Sequence, residues 1–541
     1  MISIVDKLSR SNTSIYMGIM TFFVIILVRM GIEGWTTSFA QRNFTFYFFE
    51  FTHTFLFFGI LFLLCVSLTC WIARVRLHAS ITLFLYGFIL IIFPPIFDWI
   101  IAHVFYDDNY FLSYYLFDSY KGLIQSYFTY FGDMPRNGIT YGTRIMIGCA
   151  LIIMTLFTFY NTKSLWRSIM MICVAYTCFF ILSAFPSIVT FVFTSAHLDA
   201  TSSAVAGFIA SPTTILNNPI LYPVNAINIK MSQIYIVIAS FLLLYISYIL
   251  KKKEWIVLCK NIRPIQTMYH IGLLCIGVGL SVLFADAVYY YSFFSFNAFV
   301  ILCIALICAW YSTVVFNDII DQEIDRISNP SRPLIVGVID VASYRNIGIF
   351  LGVLSIVFVM TVSFHAVIII IAYHAWSFLY NMPPFRLKKY PVIATFVAAI
   401  ASFQIVLLGY VVFSPQHSIQ GFPPAIAVLL IVVYTISLPI KDLKDIAGDK
   451  KNKVYTIPVL CGERVGRLII AINIFLSFML SIYTLNNNAL LIPAFFSGIL
   501  CFWALVGRNG KKFIFDARAV LRVVFVIVSL YACILANSLF V

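Results

Sequence analysis

Apolar residues in this chain come in long runs, and the polar ones collect in the gaps between them. A membrane-spanning helix needs about 20 largely apolar residues, and the runs that qualify are numerous. Six precede residue 250, at roughly 15–32, 53–73, 79–105, 143–161, 166–190 and 233–250. Nine follow, at roughly 267–287, 293–317, 342–361, 364–380, 391–412, 423–440, 467–485, 489–507 and 519–540. The pattern predicts an all-α, polytopic membrane protein of about fifteen helices, with a six-helix module ahead of a nine-helix bundle.

The gaps set topology and boundaries. Beyond residue 267, basic residues fall in alternate loops: Arg326 and Arg332, then "RLKK" at 386–389, then Lys441 to Lys453, then Arg508 to Arg518. The intervening loops "SPQHSIQ" and "LNNN" hold neither Lys nor Arg, so the basic side reads as cytoplasmic. Continued backward, the alternation puts "KKK" at 251–253, Arg74 with Arg76, and the N-terminus on that side, leaving the C-terminus outside. The first span, preceded by Lys7 and Arg10, reads as a retained signal-anchor, because "TSFAQ" after it is a poor cleavage site. The expected organisation is a six-span membrane module at 1–250, a basic cytoplasmic connector at 251–266 and a second membrane domain at 267–541. Two polar stretches, 106–142 and about 195–230, read as outside. The first is dense in Tyr and Phe and suits the headgroup level, with His103, Asp107 and Asp108 at water.

Composition adds the exclusions. With 62% hydrophobic and 10% charged residues, no room remains for a soluble domain. The net charge of +14 therefore reports membrane orientation and not nucleic-acid binding. Twelve cysteines are scattered through apolar runs without a CxxC pair or a Cys/His ligand spacing, as small buried hydrophobes would be.

Against that background "NDIIDQEID", from Asn317, places four carboxylates in nine residues at the end of an apolar span. On a helix, Asn317, Asp318, Asp321 and Asp325 fall within an arc of about 100°. A second cluster, "KDLKDIAGDKKNK", lies at the same predicted membrane side, and Asp442, Asp445 and Asp449 share an arc of about 60° if the helix continues past Gly448. Were the six acids to converge, each pair at about 4 Å would repel by about 4 kcal/mol at an effective dielectric of about 20. Cations relieve that repulsion. A carboxylate and carboxamide shell suits Mg²⁺, which leaves positions open for substrate phosphates. Diphosphate is a natural ligand, with Arg332, Lys388 and Lys453 available for its remaining charge.

These segments resemble signatures of the UbiA-type intramembrane prenyltransferases. "NDIIDQEIDRISNPSRPLIVG" is similar to the first signature, NDxxDxxxD followed by an RP pair, and "DLKDIAGDKKNKVYTIPVLCG" to the second. "LYNMPPFRLKKYP" looks like the tyrosine and basic loop between them. The resemblance covers about residues 255–541, and "NPSRP" is nearer the archaeal ether-lipid, digeranylgeranylglyceryl phosphate synthase-like branch than the aromatic-acid branch. It departs at Ile335 and Val336, where that branch carries Pro-Ser, and at Ala447, where many members have an acid.

What the resemblance implies is a helical bundle with a lipid-accessible cavity capped by Mg²⁺ and a prenyl diphosphate. The prenyl group would pass to a lipid or aromatic acceptor. Asn317, Asp321, Asp325, Asp445 and Asp449 would hold the ions, with Asp318 in the motif and Asp442 beside it. Arg332, Tyr380, Lys388 and Lys453 would contact diphosphate. Trp310, Tyr311 and Phe316 are candidates to shelter an allylic cation or, more plainly, packing residues. The competing expectation is a cation-coupled transporter whose carboxylates bind the coupling ion. Against it, such sites usually lie near the midplane, whereas these acids sit at one edge.

Overall fold

The computed structural model describes residues 15–36, 44–105, 119–132, 139–193, 223–250, 252–285, 292–415, 417–451, 454–510 and 512–540. Lys453 and the acids Asp107 and Asp108 lie outside the described residues, as does most of the second outside stretch. The protein is an all-α polytopic membrane protein: among the described residues, fourteen helices are long and apolar enough to cross a bilayer. The helix Ile15–Thr36, 22 residues long, stands at the first predicted span. A two-residue hairpin, Arg508–Asn509 against Lys512–Phe513, is the one strand pair among the described residues.

The chain divides into two compact units, the first ending at Leu250. In the first, the expected span 233–250 is only part of a helix that begins at Pro223. Its early turns carry Asn225, Asn228, Lys230, Ser232 and Gln233, all buried. Polar residues read as loop from sequence are here the inward face of a span, where lipid does not reach them. The predicted span at 79–105 is also less regular, running as Leu77–Gly87, a 3₁₀ stretch Phe88–Ile92, and Phe93–Phe105.

The second unit holds nine of the fourteen spans, from Pro264–Phe284 to Ala517–Ser538. Small residues allow its closest helix pair. A Cβ on Gly277 would stand 2.0 Å from the Val406 carbonyl oxygen, and one on Gly409 would stand 2.4 Å from that of Leu274. The helices Pro264–Phe284 and Ile393–Phe413 therefore touch backbone to backbone, the contact that lipid-embedded helices gain from glycine. A second contact sits at Gly348, whose missing side chain makes room for Val315 and Phe316 on the helix Phe293–Ile320. That packing fixes the helix whose end carries the first acidic cluster.

Candidate active site

The helix Phe293–Ile320 stops one residue short of Asp321, whose φ of −96° and ψ of 17° break the regular turn. A short helix Gln322–Ser328 follows. The backbone still donates from Asp321 N to Asn317 O at 2.9 Å and from Asp325 N to Asp321 O at 2.8 Å. The fourfold spacing of Asn317, Asp321 and Asp325 thus survives the break.

The second cluster reaches one face by a different route. Leu438–Lys444 is 3₁₀ and not α-helical, and Ile446–Lys451 returns to α. In a 3₁₀ turn positions i and i+3 eclipse, which aligns Asp442 with Asp445; the α-turn then aligns Asp445 with Asp449. Asp449 N donates to Asp445 O at 2.9 Å.

The two clusters meet. Asn329 Nδ2 lies 3.1 Å from Asp325 Oδ1 and 3.4 Å from Asp445 Oδ1, a carboxamide set between the two segments. The third segment, after the helix Phe364–Asn381, joins them through Lys388, whose Nζ donates to both oxygens of Asp321 and, at 3.2 Å, to Asn317 Oδ1. Arg386 adds a bond to Asp321 at 3.1 Å. The loops themselves are stitched together where Tyr455 N donates to Lys389 O at 3.2 Å. Three alternate loops of the nine-span unit therefore converge on one patch.

Asp318 turns elsewhere. Its carboxylate receives Arg263 at 2.9 Å, Arg332 at 2.5 Å and the Tyr344 hydroxyl at 3.2 Å, with Asn261 at 3.4 Å. Arg332 spans from there to Asp325 with the same nitrogen. Tyr380 is not grouped with Arg332 and Lys388; its hydroxyl accepts from Lys441 Nζ at 2.8 Å.

Sequence reasoning missed Arg263, Asn329, Arg386, Lys441 and Lys444 as members of this patch. Arg263, Arg386 and the lysines stand in segments that register as topology signals, and Asn329 has no charge to draw notice. Trp310 and Tyr311 have structural tasks: Trp310 lies 4.4 Å from the His270 ring, and the Tyr311 hydroxyl accepts from Arg263 N at 2.7 Å.

Electrostatics separate the acids into two kinds. Asp318, Asp321 and Asp325 are countered by arginine and lysine, so the chain itself supplies cations that the sequence reading assigned to metal. As a result, among the described residues no three metal-binding side chains stand around one point, and the expected shell of Asn317, Asp321, Asp325, Asp445 and Asp449 is not assembled. Asp449 differs. It is 8% exposed, and among the described residues no ion pair reaches it. Burial foremost, then repulsion from Asp442, Asp445 and Asp321, pushes its pKa up to about 7. Asp325 is raised to about 6, by burial foremost, against the pull of Arg332. Lys388 is lowered by burial, against the pull of Asp321. A buried carboxylate facing other carboxylates is the donor chemistry that a hard divalent ion stabilises, so the residues at this end of the patch fit Mg²⁺.

Comparison with known proteins bears on the same stretch. Residues 278–535 match the model of the UbiA prenyltransferase family. A digeranylgeranylglyceryl phosphate synthase of Thermococcus gammatolerans is 28% identical over 32% of this chain and 59% of its own length. A probable homogentisate phytyltransferase 2 of Oryza sativa subsp. japonica is 30% identical over 30% of this chain and 44% of its own length. The chain thus spans about half the length of the curated relatives it matches. A UbiA homologue of Archaeoglobus fulgidus, solved with DMAPP and Mg²⁺, superposes over 51% of this chain and 95% of its own, at 16% identity and a TM-score of 0.39.

Proposed function

Residues 278–535 are a UbiA prenyltransferase family domain, and from that premise we propose that the protein is a Mg²⁺-dependent prenyltransferase. It moves a prenyl group from a prenyl diphosphate to a hydrophobic acceptor, lipid or aromatic, within the membrane. The relatives' names include both a glyceryl phosphate and homogentisate, so neither acceptor class is preferred. In this reading residues 267–541 form the enzyme and 1–250 a separate membrane module.

The observation that carries the reading is the meeting of the two acidic segments at Asn329, with the buried Asp449 beside them. Asn317, Asp321, Asp325, Asp445 and Asp449 are the residues proposed to hold Mg²⁺, with Asp442 adding charge behind them. When bound, the ion supplies Lewis-acid neutralisation of the leaving diphosphate.

The chain's own part is an exchange of partners. Lys388 and Arg386 give up Asp321 for phosphate oxygens, and Arg332 gives up Asp325, so no buried charge is left unpaired at any stage. Tyr380, with Lys441 on its hydroxyl, adds a donor to the same end, and Lys453 is proposed to join it. Asp318 stays with Arg263 and Tyr344 and positions Arg332. Breaking the prenyl C–O bond leaves an allylic cation and a diphosphate whose charge these groups absorb, and the acceptor then attacks the cation.

The test is diphosphate release from geranylgeranyl or longer prenyl diphosphates by the purified full chain in detergent, with and without Mg²⁺. Release that requires Mg²⁺ and rises with acceptor is expected. Absence of turnover with every chain length and acceptor, together with absence of Mg²⁺-dependent diphosphate binding, overturns the proposal.

A further inference from the structure

The first unit encloses a cavity of about 1140 Å³, above the roughly 300–1,000 Å³ typical of small-molecule sites. Its lining reaches along the helix Tyr141–Thr162 from Thr143 to Phe157, a distance of about 20 Å at 1.5 Å per residue. One end is polar and the other is not. Arg29 pairs with Glu33 at 2.6 Å and lies 4.9 Å over the Phe58 ring. Asp98 interacts with both Arg29 and Glu33 and accepts the Gly142 N–H at 2.8 Å. His53, within the field of Arg29, lies 5.5 Å from the Tyr235 ring. The walls toward Phe157 are chiefly aliphatic and aromatic.

Glycines make part of the space. Gly31, Gly34 and Gly87 line the cavity, and a Cβ added to any of them meets no atom within 4 Å. A membrane protein rarely keeps so long a hollow beside a desolvated ion pair without an occupant to fill it, since empty volume forfeits packing. The charge at the polar end restricts that occupant. Among the described lining residues, Glu33, Glu50 and Asp98 outnumber the single guanidinium of Arg29 there, which disfavours a phosphate or carboxylate head. Arg29, already paired, disfavours a cationic one. The Arg29 Nε–H is buried and makes no hydrogen bond, so a donor is available to a neutral oxygen.

We propose that this cavity binds a long-chain lipid with an uncharged, hydroxyl-bearing head, the hydroxyl at Arg29, Glu33 and Asp98 and the tail toward Phe157. The proposal goes beyond prenyl transfer and does not depend on it, because every residue it uses lies in the first unit.

The experiment is equilibrium binding of tritiated hexadecanol to the full chain in detergent, with Gly34→Phe and Gly87→Phe as variants that fill the hollow. Saturable binding is expected, at least tenfold weaker in both variants. Hexadecanol should displace the label at least tenfold better than palmitate or hexadecylamine. Size-exclusion profiles and the separate diphosphate-release assay report whether the variants remain folded. Unchanged binding in folded variants overturns the site. Displacement by palmitate or hexadecylamine as effective as by hexadecanol overturns the head-group assignment. If one variant fails to fold, the other and the competition series on the unmodified chain decide.

Discussion

Asn329 and Asp445, 116 positions apart in the chain, stand 3.4 Å from each other, and the same Asn329 nitrogen lies 3.1 Å from Asp325. One neutral donor therefore bridges two carboxylates that would otherwise face each other. Removing it leaves their repulsion uncompensated. Asn329→Ala should lower diphosphate release at least tenfold while costing only about 1 kcal/mol of stability, the worth of an ordinary hydrogen bond. Turnover and thermal unfolding measured on the same preparation check both halves of that expectation.

Asp321→Asn and Asp445→Asn should each abolish prenyl transfer, by a hundredfold or more, without unfolding the bundle. Both positions lie beyond the apolar helix ends, and the Asn side chain keeps the shape. Full activity in either variant, measured by diphosphate release, removes that residue from the ion site.

Lys388 is 8% exposed and gives its ammonium to Asp321 and Asn317. Lys388→Met strands a buried carboxylate, a change that costs about 3–5 kcal/mol when nothing else compensates; Arg386 at 3.1 Å should reduce it. The double variant Lys388→Met with Asp321→Asn should recover most of the loss. Denaturant unfolding across the four proteins of the cycle gives the coupling.

The raised carboxyls make the metal-free protein sensitive to alkali. Asp449 has a folded pKa of about 7 and Asp325 of about 6, against about 3.9 in an unfolded chain. Between those values the folded state holds more protons than the unfolded one, so stability declines as pH rises. The thermal midpoint without Mg²⁺ should fall from pH 5 to pH 8, and Asp449→Asn should flatten part of that slope. Mg²⁺ competes with protons for the same oxygens and should protect more at pH 8 than at pH 5. Melting curves at each pH, with and without the ion, are the measurement.

Gly409→Ala places a methyl group 2.4 Å from the Leu274 carbonyl. The helices Pro264–Phe284 and Ile393–Phe413 must separate to admit it, at a cost of about 1–3 kcal/mol. Gly462, whose added Cβ meets nothing within 4 Å, offers no such clash but has a φ of +78°, so Gly462→Ala tests strain without steric contact. Unfolding of both variants separates the two causes.

The sequence alone determined that the chain is helical and spans the membrane many times, because a run of some 20 apolar residues has few other ways to satisfy its backbone. It also marked the two acidic segments, since charge beside lipid is conspicuous, and the fourfold spacing of Asn317, Asp321 and Asp325 holds in the structure. The buried polar turn of Pro223–Leu250 escaped it, as a face sheltered by neighbouring helices has no signature in a one-dimensional hydropathy pattern. Which cation meets which carboxylate belonged to tertiary structure entirely. Arg263, Arg332, Arg386 and Lys388 come from three separate segments, and only their packing decides that Asp318 and Asp321 are neutralised by the protein while Asp449 is left to its acidic neighbours.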